Sequence, residues 1–227
     1  MTTARSIRLV CLDMAGTTVQ DDGAVMSAFA SAMDEVGIAD GSSEREEAVA
    51  YTLATMGQPK IEVFRHLTGS AERAAVANAA FERAYLDLIR QGAAAPIEGA
   101  EDTVRTLRAG GIRVSFTTGF SAATRDALLR SLGWTGLADL ALSPSDAGRG
   151  RPYPDMILTA LIRLGIDDVR EVANLGDTTS DALSGHRASA SIVAGVLTGT
   201  HGADDFRTAP VTHVLGSVAE LPSLLGL

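Results

Sequence analysis

Apolar positions along the chain follow two different rhythms. A short, nearly continuous apolar run, Leu9-Val10-Cys11-Leu12, lies within residues 7–13, stops on Asp13 and turns into Gly16-Thr17-Thr18. An unbroken run of so few residues fits a strand covered on both faces, as parallel sheets require. The rhythm then becomes helical. Ala24–Val36 carries a helical stripe stopped by Gly37, and Ser43 with Glu46 forms a capping box for a helix running to about Met56, which Gly57 ends. Pro59 suits the first position of a further helix, Lys60–Leu67, stopped by Gly69. Ala71–Arg90 is a long helix with Phe81, Tyr85, Leu88 and Ile89 along one side. No strand pattern interrupts this block, so it reads as a small helical bundle.

From Gly99 onward strands and helices alternate. Helices are expected at Glu101–Ala109, Ala122–Leu132 (capped by Ser121), Pro154–Leu164 and Ser180–Ala188, with a last one at the end of the chain. Strands are expected at Ile112–Thr117, Leu137–Leu142, up to Gly176, Ser191–Val196 and Thr212–Leu215, with a loop at Ser143–Pro152. Such alternation specifies an α/β fold: a Rossmann-like, doubly wound parallel sheet with helices on both faces. The helical block after the first strand is then an inserted cap domain, 20–94, and residues 1–19 and 95–227 form the α/β core. Hinges are expected at Val19–Gly23 and Gly92–Ile97.

Composition narrows the function. The 227 residues carry a net charge of −9 and only 4% aromatics, which argues against a nucleic-acid partner. Cys11 is the only cysteine and lies in the first apolar run, so a disulfide framework is excluded and a reducing, cytoplasmic setting is expected. Met1–Ile7 is too short and polar for a signal peptide, and no apolar run is long enough to span a bilayer. Eighteen of the 19 basic residues are arginines, leaving Lys60 as the single amine side chain. Arginine cannot replace a lysine where chemistry needs a deprotonated amine.

Ligands of open parallel sheets bind outside the carboxyl ends of the strands. Past the first strand stand Asp13 and the Gly16-Thr17-Thr18 turn; past the second, Thr117-Thr118-Gly119-Phe120. Gly148-Arg149-Gly150-Arg151-Pro152 follows the third, and Gly176-Asp177-Thr178-Thr179-Ser180-Asp181 the fourth. Thr118 and the Gly119 amide can donate to phosphoryl oxygens, and the Arg151 fork matches a phosphoryl group. Asp13 and Asp177 are hard oxygen ligands suited to Mg²⁺, and Asp181, one helical turn beyond Asp177 and with Thr178 between them, can orient that pair. Each feature alone has a plainer reading: Asp13 as a turn cap, Arg151 as a solvated charge, Asp177 and Asp181 as favourable charges at a helix start. Their order at consecutive strand ends favours a site.

That ordered set resembles the haloacid dehalogenase superfamily over essentially the whole chain. The resemblance implies Asp13 as nucleophile, Mg²⁺ held by Asp13, the Ala15 carbonyl and Asp177, and a helical cap closing over the site. Phosphatases of the superfamily carry a second Asp two residues after the first; here that position is Ala15. A methyl cannot move a proton, and the missing general acid is worth roughly 10²–10⁴-fold in ester hydrolysis.

Asp13-Met14-Ala15-Gly16-Thr17-Thr18-Val19, Thr117-Thr118-Gly119 and Gly150-Arg151-Pro152-Tyr153-Pro154 resemble the phosphonatase branch, which also has Ala there. Met56-Gly57-Gln58-Pro59-Lys60-Ile61 places the lone lysine where that branch has its Schiff-base lysine. The resemblance implies cleavage of a C–P bond in phosphonoacetaldehyde or a similar small phosphonate, and possible dimerisation. Independently, a lysine in the first turn of a helix feels a dipole that disfavours the cation and lowers the amine pKa; a solvated lysine on the surface is the competing reading. Three positions depart from the branch: Val63 stands for a His, with His66 one turn further on, Phe120 for a Tyr, and Gly23 for a Cys. A phosphate monoesterase with another proton source, and a catalytically weak phospho-ligand binder, therefore remain alternatives. His186, His213 and Trp134 read as structural, Cys11 as core, and His201 as a loop residue that could brush the site but is not a candidate for it.

Overall fold

The computed structural model describes residues 6–227. The reading of the first seven residues as no signal peptide falls mostly outside the described residues. Strand β1 (Leu9–Asp13) is buried along its whole length. Its alternate side chains enter two cores: Leu9 and Cys11 pack with Met156, Ile157 and Ala160, while Val10 and Leu12 join the larger cluster on the opposite face. That two-sided burial is why the run is unbroken rather than alternating.

After β1 the chain makes a two-residue strand, β2 (Val19–Gln20), then α1 (Ala24–Glu35), α2 (Ser43–Ala54), α3 (Lys60–Thr68) and α4 (Ala71–Arg90). It returns through β3 (Ala95–Pro96), which pairs antiparallel with β2. Both expected hinges are thus zipped into one short ribbon at the root of the helical layer. Phe29 of α1, Phe64 of α3 and Phe81 of α4 meet with ring centroids 4.9–6.2 Å apart and form the centre of that layer. The cap of α2 is Ser42, not the Ser43–Glu46 box, because the Ser42 hydroxyl accepts the Arg45 N–H and leaves Ser43 inside the first turn.

The remaining elements are α5 (Ala100–Ala109), β4 (Arg113–Thr117), α6 (Ala122–Ser131), β5 (Leu140–Leu142), α7 (Pro144–Ala147), α8 (Asp155–Arg163), β6 (Val172–Gly176), α9 (Thr179–Arg187), β7 (Ile192–Val196), α10 (Ala203–Phe206), β8 (His213–Leu215) and α11 (Leu221–Leu225). The six long-range strands form one parallel sheet in the order β5-β4-β1-β6-β7-β8. β5 begins three residues later than its apolar pattern suggests. Asp139 instead accepts the Val114 N–H and pairs with Arg113 and Arg108, which uses that segment to seal the sheet end. The loop after β5 contains the short α7, and α10 had no sequence expectation. Among the described residues no helix is long and apolar enough to cross a membrane.

β1 sits at the centre, with the chain crossing to β4 on one side and to β6 on the other. Asp13 is level with Thr117 across the ladder, and Leu12 with Leu175. The carboxyl ends of β1, β4 and β6 therefore lie together at the place where strand order reverses, the crevice in which open α/β sheets bind ligands.

Candidate active site

Asp13, Asp177 and Asp181 converge there. All three are buried, and each offers an oxygen within 4.8 Å of the others. Glycines make this approach possible. A methyl at Gly16, whose φ of +83° already favours glycine, or at Gly199 would overlap the Asp177 carboxylate, and one at Gly176 would overlap Asp181. Asp177 Oδ2 accepts the Thr200 N–H at 2.7 Å, and its carbonyl accepts the His201 N–H. Asp181 caps α9 by accepting from both the Thr178 hydroxyl and amide.

Arg151 is the one cation inside the cluster. Its guanidinium is 2.8 Å from Asp13 Oδ1 and 2.6 Å from Asp181 Oδ1, and it donates to Thr117 Oγ1 at 2.7 Å. Three carboxylates against one guanidinium leave two formal negative charges among hard oxygen donors, which fits a divalent cation. Burial pushes the Asp13 carboxyl well above its usual range, Arg151 pulls it back, and Asp181 and Asp177 push it further. Asp177 is raised to about 6, first by burial and then by Asp181. Such buried like charges are the condition a bound cation relieves.

Thr118 and Gly119 extend from β4 along the cavity wall. The Thr118 amide is taken by the Leu142 carbonyl, and its Oγ1 accepts the Phe120 N–H at 3.2 Å, leaving the hydroxyl proton free to donate. Gly119 lies against the α2–α3 connection so closely that a Cβ would stand 2.8 Å from the Gln58 carbonyl and 2.9 Å from that of Gly57. Gly57 in turn has room for no side chain beside Thr178. The helical layer thus touches the strand ends through backbone.

Lys60 enters from that connection. It is 7% exposed, with Nζ 3.7 Å from Met56 Sδ and 5.5 and 5.7 Å from the Phe29 and Phe120 ring centres. Burial lowers its pKa to about 8, helped by Arg151 and opposed by Asp13, Asp21 and Asp177. The depressed basicity expected from the helix start therefore has desolvation as its main cause, and the solvated-surface reading of Lys60 is excluded by its burial. One cavity of about 480 Å³ is lined by Asp13, Ala15, Lys60, Thr118, Gly119, Phe120, Arg151, Asp177 and Thr178 together.

The structure brings every expected site residue to this cavity or its floor, Asp181 lying beneath Arg151. It does not bring His66, which is exposed and stacks on Tyr51 at 3.8 Å. Val63 is buried core, and burial raises the Cys11 thiol to about 12, which makes it inert. His201 Nδ1 accepts the Thr179 N–H and fastens the β7–α10 loop to the start of α9. Trp134 stacks on Phe116 at 5.6 Å. Sequence reasoning missed Asp21, and it noted the loop after β7 only through His201, whereas Thr198, Gly199 and Thr200 are the residues of that loop that line the cavity.

Residues 7–189 match the family model for haloacid dehalogenase-like hydrolases. A phosphonoacetaldehyde hydrolase from Bacillus cereus is 30% identical over 204 residues, covering 84% of this chain and 76% of the relative. Among solved structures, a hydrolase from Pseudomonas syringae aligns with a TM-score of 0.84 at 20% identity, over 98% of both chains. A phosphonoacetaldehyde hydrolase like protein from Oleispira antarctica aligns at 0.81 and 22% identity, over 98% of this chain and 92% of that one.

Proposed function

The chain belongs to the haloacid dehalogenase-like hydrolases, and within that family we propose that it cleaves the carbon–phosphorus bond of phosphonoacetaldehyde or a similar small phosphonate. The observation that carries this reading is the pairing of a buried amine and a buried carboxylate, Lys60 and Asp13, in the lining of one cavity. An ester phosphatase has no use for the amine, and the position that would supply its general acid is Ala15.

The phosphonate oxygens are received by the Thr118 hydroxyl, the Gly119 amide and Arg151. Lys60 Nζ adds to the aldehyde carbon, and loss of water leaves an iminium whose carbon is bonded to the saturated C–P carbon. Asp13 attacks phosphorus, the P–C bond breaks, and its electron pair moves into the iminium to give an enamine. A solvent proton on that carbon and hydrolysis of the resulting iminium release acetaldehyde and free Lys60, while water cleaves the aspartyl-phosphate. Asp13 and Asp177, with the Ala15 carbonyl, would hold Mg²⁺, which when bound supplies positive charge against the phosphoryl oxygens. Asp181 and Thr178 hold Arg151 and Asp177 in register. Residues 20–94 act as a cap over the core of 1–19 and 95–227, hinged at the β2–β3 ribbon, and closure excludes water from the iminium.

Borohydride reduction in the presence of phosphonoacetaldehyde and Mg²⁺ tests the reading. Mass spectrometry should locate a reduced adduct on Lys60, with acetaldehyde formed in its absence. No adduct and no acetaldehyde would overturn it. Phosphate release from esters that survives Lys60→Arg would instead identify a monoesterase, and binding without turnover of either class a phospho-ligand binder.

A further inference from the structure

Two buried polar atoms near Lys60, Oδ2 of Asp21 and the hydroxyl of Tyr85, make no well-formed hydrogen bond among the described residues, although the two groups act on each other. Leaving such a group unpaired costs roughly 1–3 kcal/mol, so the pair needs a reason. Helix capping gives it only in part, through the Gly23 and Val25 N–H groups at the start of α1. Asp21 sits just before α1, and its other oxygen, Oδ1, already accepts the Gly23 N–H at 3.3 Å. Oδ2 is spare, on a residue that lines the cavity shared by Lys60 and Asp13. Tyr85 is fully buried on α4 with its ring 4.6 Å from Phe120, the same ring that walls Lys60. Burial, and then the Asp21 and Asp13 carboxylates, hold its hydroxyl proton well above the usual range, so it remains a donor directed at Asp21.

Among the described residues that line the cavity, the other carboxylates are Asp13 and Asp177, which the proposed chemistry already uses, and Asp22, which is exposed. Ala15, Val63 and Phe120 carry none, and His66 is on the surface. We propose that Asp21 carries the proton for the Lys60 reaction, with Tyr85 as the positioning residue behind it; the inference rests on the C–P reading above. The balance is one amine, one aldehyde and one proton giving an iminium and water. The N–C bond forms as Lys60 adds to the carbonyl carbon, and the nitrogen proton passes to the carbonyl oxygen. The C–O bond then breaks as the Asp21 carboxyl donates its proton to the departing hydroxyl, and Asp21 is left as a carboxylate facing the new cation. Hydrolysis of the iminium at the end returns the proton. Burial raises the Asp21 carboxyl against the lowering effect of the Gly23 and Val25 N–H groups and of Lys60, which suits a group that must begin as the acid. The charged and titratable groups facing it are Lys60 from α3, Tyr85 from α4 and its neighbour Asp22, with Asp13 from β1 acting on Lys60 and Tyr85.

The test is the rate of borohydride trapping on Lys60 by phosphonoacetaldehyde in the wild type, Asp21→Asn, Asp21→Ala and Tyr85→Phe. Asp21→Asn should slow trapping by about 100-fold or more, the range of a lost general acid. Formate should restore part of the rate to Asp21→Ala, which a structural carboxylate would not allow. Tyr85→Phe should slow trapping several-fold and displace the acidic limb of its pH profile. Trapping at the wild-type rate in Asp21→Asn, or slowing that formate leaves unchanged in Asp21→Ala, would overturn the role of Asp21. Absence of trapping in the wild type would overturn the C–P reading instead and this inference with it.

Discussion

Lys60→Met should make the protein more stable at neutral pH while removing the chemistry proposed for it. Lys60 has its pKa lowered from 10.5 to about 8, with burial the largest cause. A group whose folded pKa lies below its unfolded value binds fewer protons when folded over the interval between the two. Stability therefore rises with pH from about 8 to 10.5, and below about 8 the folded state carries the full cost of a buried cation. At ~1.4 kcal/mol per unit that cost is about 3 kcal/mol at pH 7, falling to about 1 kcal/mol at pH 9.5. Methionine is close in length, has no charge to desolvate, and would pack against Met56, Phe29 and Phe120 where the lysine stem does now. The contacts of Nζ with the two aromatic rings stand outside those causes and are worth roughly 0.5–1 kcal/mol each, so they narrow the gap without reversing its sign.

Urea unfolding of both proteins at pH 7 and pH 9.5 measures the difference directly. The expected result is a higher midpoint for Lys60→Met at pH 7, an unchanged slope, and a gap that shrinks at pH 9.5. A variant of equal or lower stability at pH 7, or a gap independent of pH, would refute the argument that the fold holds this amine against its preference for water. Residues retained at a stability cost of this size are those that function requires, which is why the sign matters more than the amount.

Magnesium should raise the thermal midpoint, by the equivalent of about 2.7 kcal/mol at a hundred times its dissociation constant, and chelation or Asp177→Asn should abolish the gain. Gly199→Ala should cost roughly 1–3 kcal/mol by urea unfolding, because its methyl would overlap the Asp177 carboxylate. Ala15→Asp should raise hydrolysis of an alkyl phosphate at least ~10-fold in a phosphate-release assay by supplying the missing general acid; no change would mean that Ala15 does not face the leaving group. Asp139→Asn should cost about 1–2 kcal/mol by the same unfolding assay. Burial opposes the Asp139 charge, but the Val114 N–H, Arg113 and Arg108 hold its pKa below the usual value. Its contribution is therefore complete above about pH 4 and lost as pH falls below that, and a loss persisting unchanged at pH 3 would contradict the assignment.

The parts of this molecule that a reader of the sequence can place are those set by the parallel sheet. β1 must be apolar on both faces, so its run is continuous and Asp13 marks its end, and β4 and β6 on either side of it likewise terminate in small or polar residues. Register does the rest: a parallel ladder with β1 at its centre makes Asp13, Thr117 and Asp177 neighbours although their separations in sequence are large. Lys60 shows where this stops. Its depressed pKa can be guessed from a position in the first turn of a helix, but its main cause is burial by Phe29, Met56 and Phe120, which come from α1, the α2–α3 connection and the segment after β4. No periodicity relates those three places. Asp21 and Tyr85 are harder still, because what singles them out is a buried pairing without a well-formed hydrogen bond, which exists only once both groups have been positioned. Such residues leave no motif in the chain: in sequence Asp21 is an acid before a helix and Tyr85 one of four side chains on an apolar stripe. The same argument applies to function. Ala15, read against its resemblance to phosphatases, says which chemistry is absent, and only the enclosed space around Lys60 says what could stand in its place.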